Sequence, residues 1–365
     1  MKKKPSGKRK KSAYAAAGVD IDEMTGALRD VRTMIRNTAT KDVLSSIGSF
    51  GGLYQAPGKG KILAASTDGV GTKLKVALMA SRHDTVGQDL VNHCVNDILV
   101  QGAKPFFFLD YLGTSRLDAA VFKEVIKGIC KACRENSCAM LGGETAEMPG
   151  LYPEGEYDLA GTIVGAVDKK RIVTGRKIRP GDIVLGLRST GLHTNGYSLA
   201  RKVIFETAGL NINDTVPGTG RTAGDVLLSV HRSYLRYVTA LMPEVRIHGM
   251  AHITGGGLID NLPRVLPSNC SVVIDPGSWK VPPIFRFIAE AGGITEGEMY
   301  RVFNMGIGYV VILPEDDAAH AVALLKEAGT VPSLVGYVEK GPASVTFAGG
   351  TAGALSSAGK GSRSR

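Results

Sequence analysis

Apolar residues recur at helical spacing in some stretches and gather into short continuous runs in others, and the two patterns alternate along most of the chain. Residues 86–101 read as a helix in which Leu90, Val91, Cys94, Val95, Ile98 and Leu99 make a broad apolar face. Gly102 suits the position just past its end, and Pro105 prevents continuation. Residues 118–136 carry Phe122, Val125, Ile126 and Ile129 at the same period. Between these helices, residues 106–110 are apolar enough for a strand buried on both sides, and residues 62–65 form an earlier short strand. After a break near 169–180, residues 181–187 begin a second series with a strand opened by a turn. A helix over 196–207, a polar loop at 211–224 and a helix over 223–242 follow. Strands at 271–274 and 307–313, a helix at 316–328 and a strand pair at 333–338 and 344–347 complete the pattern. No repeat at solenoid periods is present. The expected class is two domains of helices and sheets, over 14–172 and 173–347, with strand direction left open by periodicity alone.

The formal net charge of +10 changes this picture only at the ends. Residues 1–13 hold seven lysines and arginines and no acid, and residues 348–365 hold three and no acid, so the body between them is formally neutral. The tails read as disordered and solubilising, and no specific nucleic-acid partner is expected of the body. No run spans a bilayer and no secretory leader core follows the first lysines, so neither membrane nor export is expected. Cysteines at 94, 130, 133, 138 and 270 are odd in number and scattered, which fits a reducing, cytoplasmic setting. Cys130 and Cys133 fall within the helix 118–136 without a second ligand pair, so they read as core or surface residues.

The candidate chemistry begins after the strand 62–65, at Ser66-Thr-Asp-Gly-Val-Gly-Thr-Lys73. Glycines let backbone N–H groups wrap phosphate oxygens, Lys73 can neutralise phosphate, and Asp68 can hold a divalent cation against the same oxygens. The spacing is not that of a Walker A loop, and an ordinary turn is the plain alternative. On the helix 86–101, Asp89, His93, Asn96 and Asp97 share one polar stripe, which is either a solvated face or a reach toward a neighbouring strand's end. A third acidic element, Gly142-Gly143-Glu144-Thr145, follows another short apolar run. Asp68, Asp97 and Glu144 would supply hard oxygen ligands to magnesium if clustered, and are turn or cap residues if dispersed. The second half offers two more anion-suited loops. Ser189-Thr190-Gly191-Leu192-His193-Thr194-Asn195 precedes a helix with Asn195 as its N-cap, and His252 flanks Thr254-Gly255-Gly256-Gly257. For His193 and His252 a core or capping role is the plain alternative.

These segments in this order resemble the phosphoribosylformylglycinamidine cyclo-ligase family, also called aminoimidazole ribonucleotide synthetases. The matching words include Tyr14 with 17–22, Thr67-Asp-Gly-Val-Gly-Thr-Lys73, 83–85, 89–91, Cys94-Val-Asn-Asp97, 100–103, 107–111 and Gly142-Gly-Glu-Thr-Ala-Glu-Met-Pro-Gly150. They continue with His193, 195–199, His252 with 254–257, Asn261 with 263–267, and 298–301 with 303–304, so the likeness spans roughly 14–347. It implies an α+β fold. The N-terminal domain has a mixed or antiparallel sheet that forms a β-barrel across a homodimer, and a C-terminal α/β domain packs beside it. The implied reaction is the ATP-dependent cyclisation of formylglycinamidine ribonucleotide to aminoimidazole ribonucleotide in purine biosynthesis. ATP is then expected at Asp68, Gly69, Gly71, Thr72, Lys73, Asn96, Asp97, Gly143, Glu144 and Thr145, with magnesium on Asp68, Asp97 and Glu144. The substrate phosphate is expected at Ser189, Thr190, Gly191, His193 and Asn195 or at His252 and 254–257, and Asp68, Lys73, Asp97 and His193 are the expected catalytic groups. Related families fit less well. A selenophosphate synthetase should carry a reactive cysteine near its start, whereas the first here is Cys94. The hydrogenase-maturation relatives end in a reactive cysteine, and thiamine-phosphate kinases lack the 142–150 and 252–257 words.

Overall fold

The computed structural model describes residues 12–17, 37, 39–46, 49–56, 58 and 60–349. Residues 18–22 of the family words, and the tails over 1–11 and 350–365, lie outside the described residues.

The first sheet is built from β1 (Gly52–Gln55), β2 (Lys61–Gly69), β3 (Lys104–Thr114), β4 (Ala139–Glu147) and β5 (Tyr157–Asp168), in the order β1-β2-β5-β3-β4. Its neighbours are antiparallel except β3 and β4, which run parallel because the helix α4 (Ala119–Glu135) connects them. Helices α2 (Lys73–Ala80) and α3 (Asp84–Leu99) come between β2 and β3, and α3 packs against β2, β5 and α4. Glycines set how closely α3 and α4 approach: a Cβ on Gly87 would stand 2.2 Å from the Val125 carbonyl oxygen, and one on Gly128 would stand 2.0 Å from that of Asp84. Asp118 caps α4 by accepting from the Ala120 and Val121 N–H groups.

This layer covers one face of the sheet. Ile62, Ala64, Ser66 and Asp68 of β2 share the covered side, while Leu63, Ala65 and Thr67 point away. The strand expected to be buried on both sides is therefore buried on one: Phe108 is inaccessible, whereas Leu109 is 37% and Phe106 52% exposed. Phe106 and Leu141 are the extra residues at two register shifts, one between β3 and β5 and one between β3 and β4.

The second sheet contains β6 (Asp182–Arg188), β7 (Gly249–His252), β8 (Cys270–Ile274), β9 (Ile307–Pro314), β10 (Ser333–Lys340) and β11 (Val345–Phe347), in the order β11-β8-β10-β6-β9-β7. All of its pairs are antiparallel except β8 with β11, so this half is also a mixed sheet rather than a parallel one. β9 is buried along its length.

Two helices differ from expectation. The stretch 196–207 becomes α5 (Tyr197–Arg201) followed by a π turn over Lys202–Thr207, and its N-cap is Gly196 in the left-handed region rather than Asn195. The stretch 223–242 splits into α6 (Ala223–Leu227) and α7 (Leu235–Leu241), with a buried non-helical segment between them. The short helix α1 (Ala13–Ala16) packs on α5 of the second half, and the Tyr14 N–H donates to Glu298 Oε1 at 3.0 Å.

Candidate active site

The polar stripe of α3 is not a solvated face. Asp89, Asn92, His93, Asn96 and Asp97 are all buried, because the second half docks on them. Asp89 Oδ1 accepts from the His231 N–H at 2.7 Å, and Asn92 Nδ2 donates to the His231 carbonyl at 2.7 Å. Asn96 accepts from the Tyr234 N–H and donates to the Arg232 carbonyl, so both ends of its amide are spent on the segment between α6 and α7. An ATP contact through Asn96 is thereby replaced by a docking role.

The same correction applies to Lys73. Its ammonium is fully buried, 2.7 Å from Asp89 Oδ2, and it donates to the carbonyls of His193 at 3.1 Å and Ser229 at 2.8 Å. One carboxylate and two carbonyl oxygens enclose an ammonium with no exposed surface, which leaves it closed to a phosphate. Burial pulls the Lys73 pKa down, against the pull of Asp89.

Around Asp68 and Asp97 the two halves form one chain of an ion pair and hydrogen bonds. Asp68 Oδ2 lies 2.7 Å from His93 Nε2, and His93 Nδ1 lies 2.6 Å from Thr194 Oγ1. Thr194 Oγ1 reaches His231 Nδ1 at 3.3 Å, His231 Nε2 reaches His252 Nε2 at 3.0 Å, and His252 Nδ1 reaches Asp97 Oδ1 at 2.8 Å. Asp97 Oδ2 also accepts from Ser66 Oγ at 3.0 Å, so this acid on α3 does reach β2. Burial works against charge on His93, but Asp68, with Asp97 and Asp89 behind it, outweighs burial and holds the pKa up at about 9. Burial likewise opposes ionisation of Asp68, and the His93 imidazolium more than compensates. Burial pushes His252 down and His231 well down, so both rings are neutral beside the charged His93–Asp68 pair. One proton arrangement suits the chain: His252 donates to Asp97, His231 to His252, Thr194 to His231, and the doubly protonated His93 donates to Thr194 and pairs with Asp68, while Asn96 Nδ2, 3.2 Å from His231 Nε2, donates to the Arg232 carbonyl instead.

Two buried groups, His193 with His231 and His252, and His93 with Asp97 and His252, bring donor atoms within 4.8 Å of one another. Their nitrogens suit a transition metal better than magnesium, and several are already spent in the chain above. The carboxylate with room for a hard cation is Asp68. Its side chain is 40% exposed, and Oδ1 accepts from the Gly69 N–H while keeping a free lone pair.

Glu144 does not join these acids. Across the sheet, Gly69 stands opposite Ala160, Ala160 opposite Tyr111, and Tyr111 opposite Glu144. Glu144 therefore sits three strand spacings from Gly69, about 14 Å, and points to the opposite face from Asp68. Gly143 and Thr145 lie on the same exposed edge strand. Gly143 is small because Asp110 packs over it: a Cβ there would be 1.9 Å from Asp110 Oδ1.

The phosphate-suited loops of the second half do meet the first. Thr72 Oγ1 lies 3.2 Å from Ser198 Oγ, just past the 189–196 loop. A Cβ on Gly255 would be 3.3 Å from Asn195 Oδ1, so the two glycine loops abut. Asn261 Nδ2 donates to the carbonyls of Thr254, Gly255 and Gly257 and holds that loop in shape. Gly257 has φ of 58° and no room for a side chain, since a Cβ would meet the Tyr300 carbonyl oxygen at 2.0 Å. Asn304 ties the other loop, accepting from Ser189 Oγ and donating to the Gly191 carbonyl. Asn195 Nδ2 is buried without a hydrogen-bond partner beside both loops. His193 is left-handed at φ 64°, stacks on His231 at 4.0 Å, and its Nε2 accepts from the Thr190 N–H. Burial drives its pKa well down, so the ring is neutral.

The residue that sequence reasoning missed is His231, hidden inside the expected helix 223–242. Ser229, Val230, Ser233 and Tyr234 around it are mediocre helix formers, which was the available signal.

Comparison with known proteins places both halves. The family model for the N-terminal domain of AIR synthase related proteins matches residues 50–167, and that for the C-terminal domain matches 179–348. The phosphoribosylformylglycinamidine cyclo-ligase of Citrifermentans bemidjiense is 49% identical, covering 91% of this chain and 97% of its own. That of Bacillus pumilus is 47% identical, covering 93% and 99%. Among solved structures, thiamine-monophosphate kinase from Stenotrophomonas maltophilia aligns with a TM-score of 0.62 at 18% identity, over 88% of this chain and 96% of that one. The hydrogenase maturation protein HypE aligns at 0.59 and 21%, over 86% and 92%. At these identities the two structures share the fold.

Proposed function

The chain belongs to the AIR synthase family, and from that premise we propose that it is a phosphoribosylformylglycinamidine cyclo-ligase. It closes formylglycinamidine ribonucleotide to aminoimidazole ribonucleotide with ATP, releasing ADP and phosphate. The observation that carries this reading is the near end-to-end likeness to cyclo-ligases, at 49% identity over 91% of the chain. The site supports it, because the Asp68 loop of the first half abuts loops of the second that are suited to a sugar phosphate.

In this reading ATP phosphorylates the formyl oxygen, the amidine nitrogen attacks that carbon, and phosphate leaves. Asp68, Gly69, Gly71 and Thr72 face the nucleotide, and Asp68 would hold magnesium, with Asp97 behind it through the histidine chain. Magnesium neutralises charge on the transferring phosphoryl group when bound. The substrate phosphate sits between the 189–196 and 254–257 loops, with the unpartnered Asn195 Nδ2 as one donor. Anchoring the substrate there and at the nucleotide end folds the linear molecule toward ring closure. His193 remains the proposed proton handler, and its Nε2 would have to give up the Thr190 N–H to take a proton.

A homodimer completes the reading. Tyr54, Leu109, Phe106 and Leu141 are exposed on or beside the uncovered side of the first sheet, and a second copy closing a barrel there would bury them. The same closure would bring a second copy's β4 edge toward the site and give Glu144 a place in it. Among the described residues no helix is long and apolar enough to cross a membrane, and the five cysteines are free, in keeping with a cytoplasmic enzyme.

Phosphate release with ATP and formylglycinamidine ribonucleotide tests the proposal: turnover should require both. Asp68→Asn should lower it at least about 100-fold while the protein stays folded. Undiminished turnover would remove Asp68 from the mechanism.

A further inference from the structure

Helix α4 ends in a turn that brings two thiols together. Asn136 is its C-cap, and Ser137 beyond it takes the left-handed conformation at φ 54°. The Ser137 N–H donates to the Arg134 carbonyl at 3.1 Å, and the Cys138 N–H to the Cys133 carbonyl at 2.9 Å. This pair of bonds is the Schellman arrangement, in which the residue two past the cap touches the residue three before it. Here both of those residues are cysteines. Both are free, the backbone turn sets them side by side, and Cys133 is buried while Cys138 is partly exposed. The neighbouring Cys133 thiol lowers the Cys138 pKa and Cys138 raises that of Cys133, giving an accessible attacking sulfur beside a sheltered one.

The turn between them is also tied to the active site. Asn136 Nδ2 donates to Asn92 Oδ1 at 2.8 Å, and Asn136 Oδ1 accepts from Ser233 Oγ at 2.5 Å. Asn92 in turn holds the His231 carbonyl. Residues 133–138 therefore hold, from both sides, the segment that carries His231 into the histidine chain.

We propose that Cys133 and Cys138 form a thiol–disulfide modification site for small disulfides of the oxidised-glutathione type, and that closing it loosens the His231 segment through Asn136. The Cys138 thiolate attacks one sulfur of the oxidant RSSR, forming a mixed disulfide and releasing RS⁻. Cys133 then gives its proton to solvent, attacks Cys138 Sγ and expels the second RS⁻. Two electrons pass from the cysteines to the oxidant, which leaves as two RSH after taking up two protons. This goes beyond the proposed reaction and does not depend on it.

The test is to incubate the full chain with oxidised glutathione, map its peptides by mass, and follow amide hydrogen exchange over residues 229–234. The expected product is a peptide linked between Cys133 and Cys138, about 2 Da lighter than the reduced pair. Exchange over 229–234 should rise several-fold in the oxidised protein and return on reduction with dithiothreitol. Cys133→Ser should stop at the mixed disulfide on Cys138, and Cys138→Ser should show neither product nor the exchange response. A link between Cys130 and Cys133, or reaction confined to other cysteines, overturns the site. A 133–138 disulfide with unchanged exchange overturns the coupling through Asn136.

Discussion

The two faces of the first sheet come from the same strands and have opposite fates. On the covered face, Ser66 and Asp68 reach α3, Ser66 donating to Asp97 and Asp68 pairing with His93. On the open face, Leu109 and Tyr54 stand in solvent beside Thr67, whose hydroxyl finds only its cross-strand neighbour Thr162. A strand's alternation assigns each residue to one face or the other. The difference teaches that one chain finishes the covered side by itself and leaves the open side bare.

The comparison is sharpened most by Lys73→Met, which leaves the buried Asp89 carboxylate without its cation. Stability should fall by about 3–5 kcal/mol, read by urea denaturation. A mutant that keeps wild-type stability but loses ATP affinity would return Lys73 to the nucleotide. Next in size is Leu109→Asp on the open face. It should leave the urea midpoint nearly unchanged while converting dimer to monomer in sedimentation, and a variant that sediments as wild type would take Leu109 out of the interface. The smallest effect comes from adjacent residues of β2. Ser66→Ala removes a donor from the nearly buried Asp97 and should cost about 1–3 kcal/mol, whereas Thr67→Ser should stay within about 0.5 kcal/mol. Equal costs would erase the distinction between the faces.

What was legible in the sequence follows from what local pattern encodes. The helices at 86–101 and 118–136 were visible because their apolar period is unbroken and their ends carry Gly102 and Asp118, and the structure places them at Asp84–Leu99 and Ala119–Glu135. The stripe on the first of them was also visible, but whether it faced water or protein depended on a docking surface more than a hundred residues away. Glu144 stands apart from Asp68 and Asp97 within one chain for a local reason. The extra residue Leu141 shifts the register of β4 on β3 and fixes which residues beyond it share a face with Asp110. A register shift leaves little trace in composition. Lys73 resembled a phosphate ligand because nothing in its own loop reveals Asp89, one helix further on. His231 was lost because the residues between α6 and α7 keep enough apolar character to pass for a continuous helix.

The chain from Asp68 to Asp97 crosses between the halves twice, once from His93 to Thr194 and once from His252 to Asp97. Both of its ends belong to one half and its middle to the other. A hinge opening along this seam would have to break two short polar joints together and leave the His93 imidazolium with Asp68 as its one remaining partner in the chain. The halves are accordingly bolted rather than hinged at this point, and the seam holds them in one fixed arrangement.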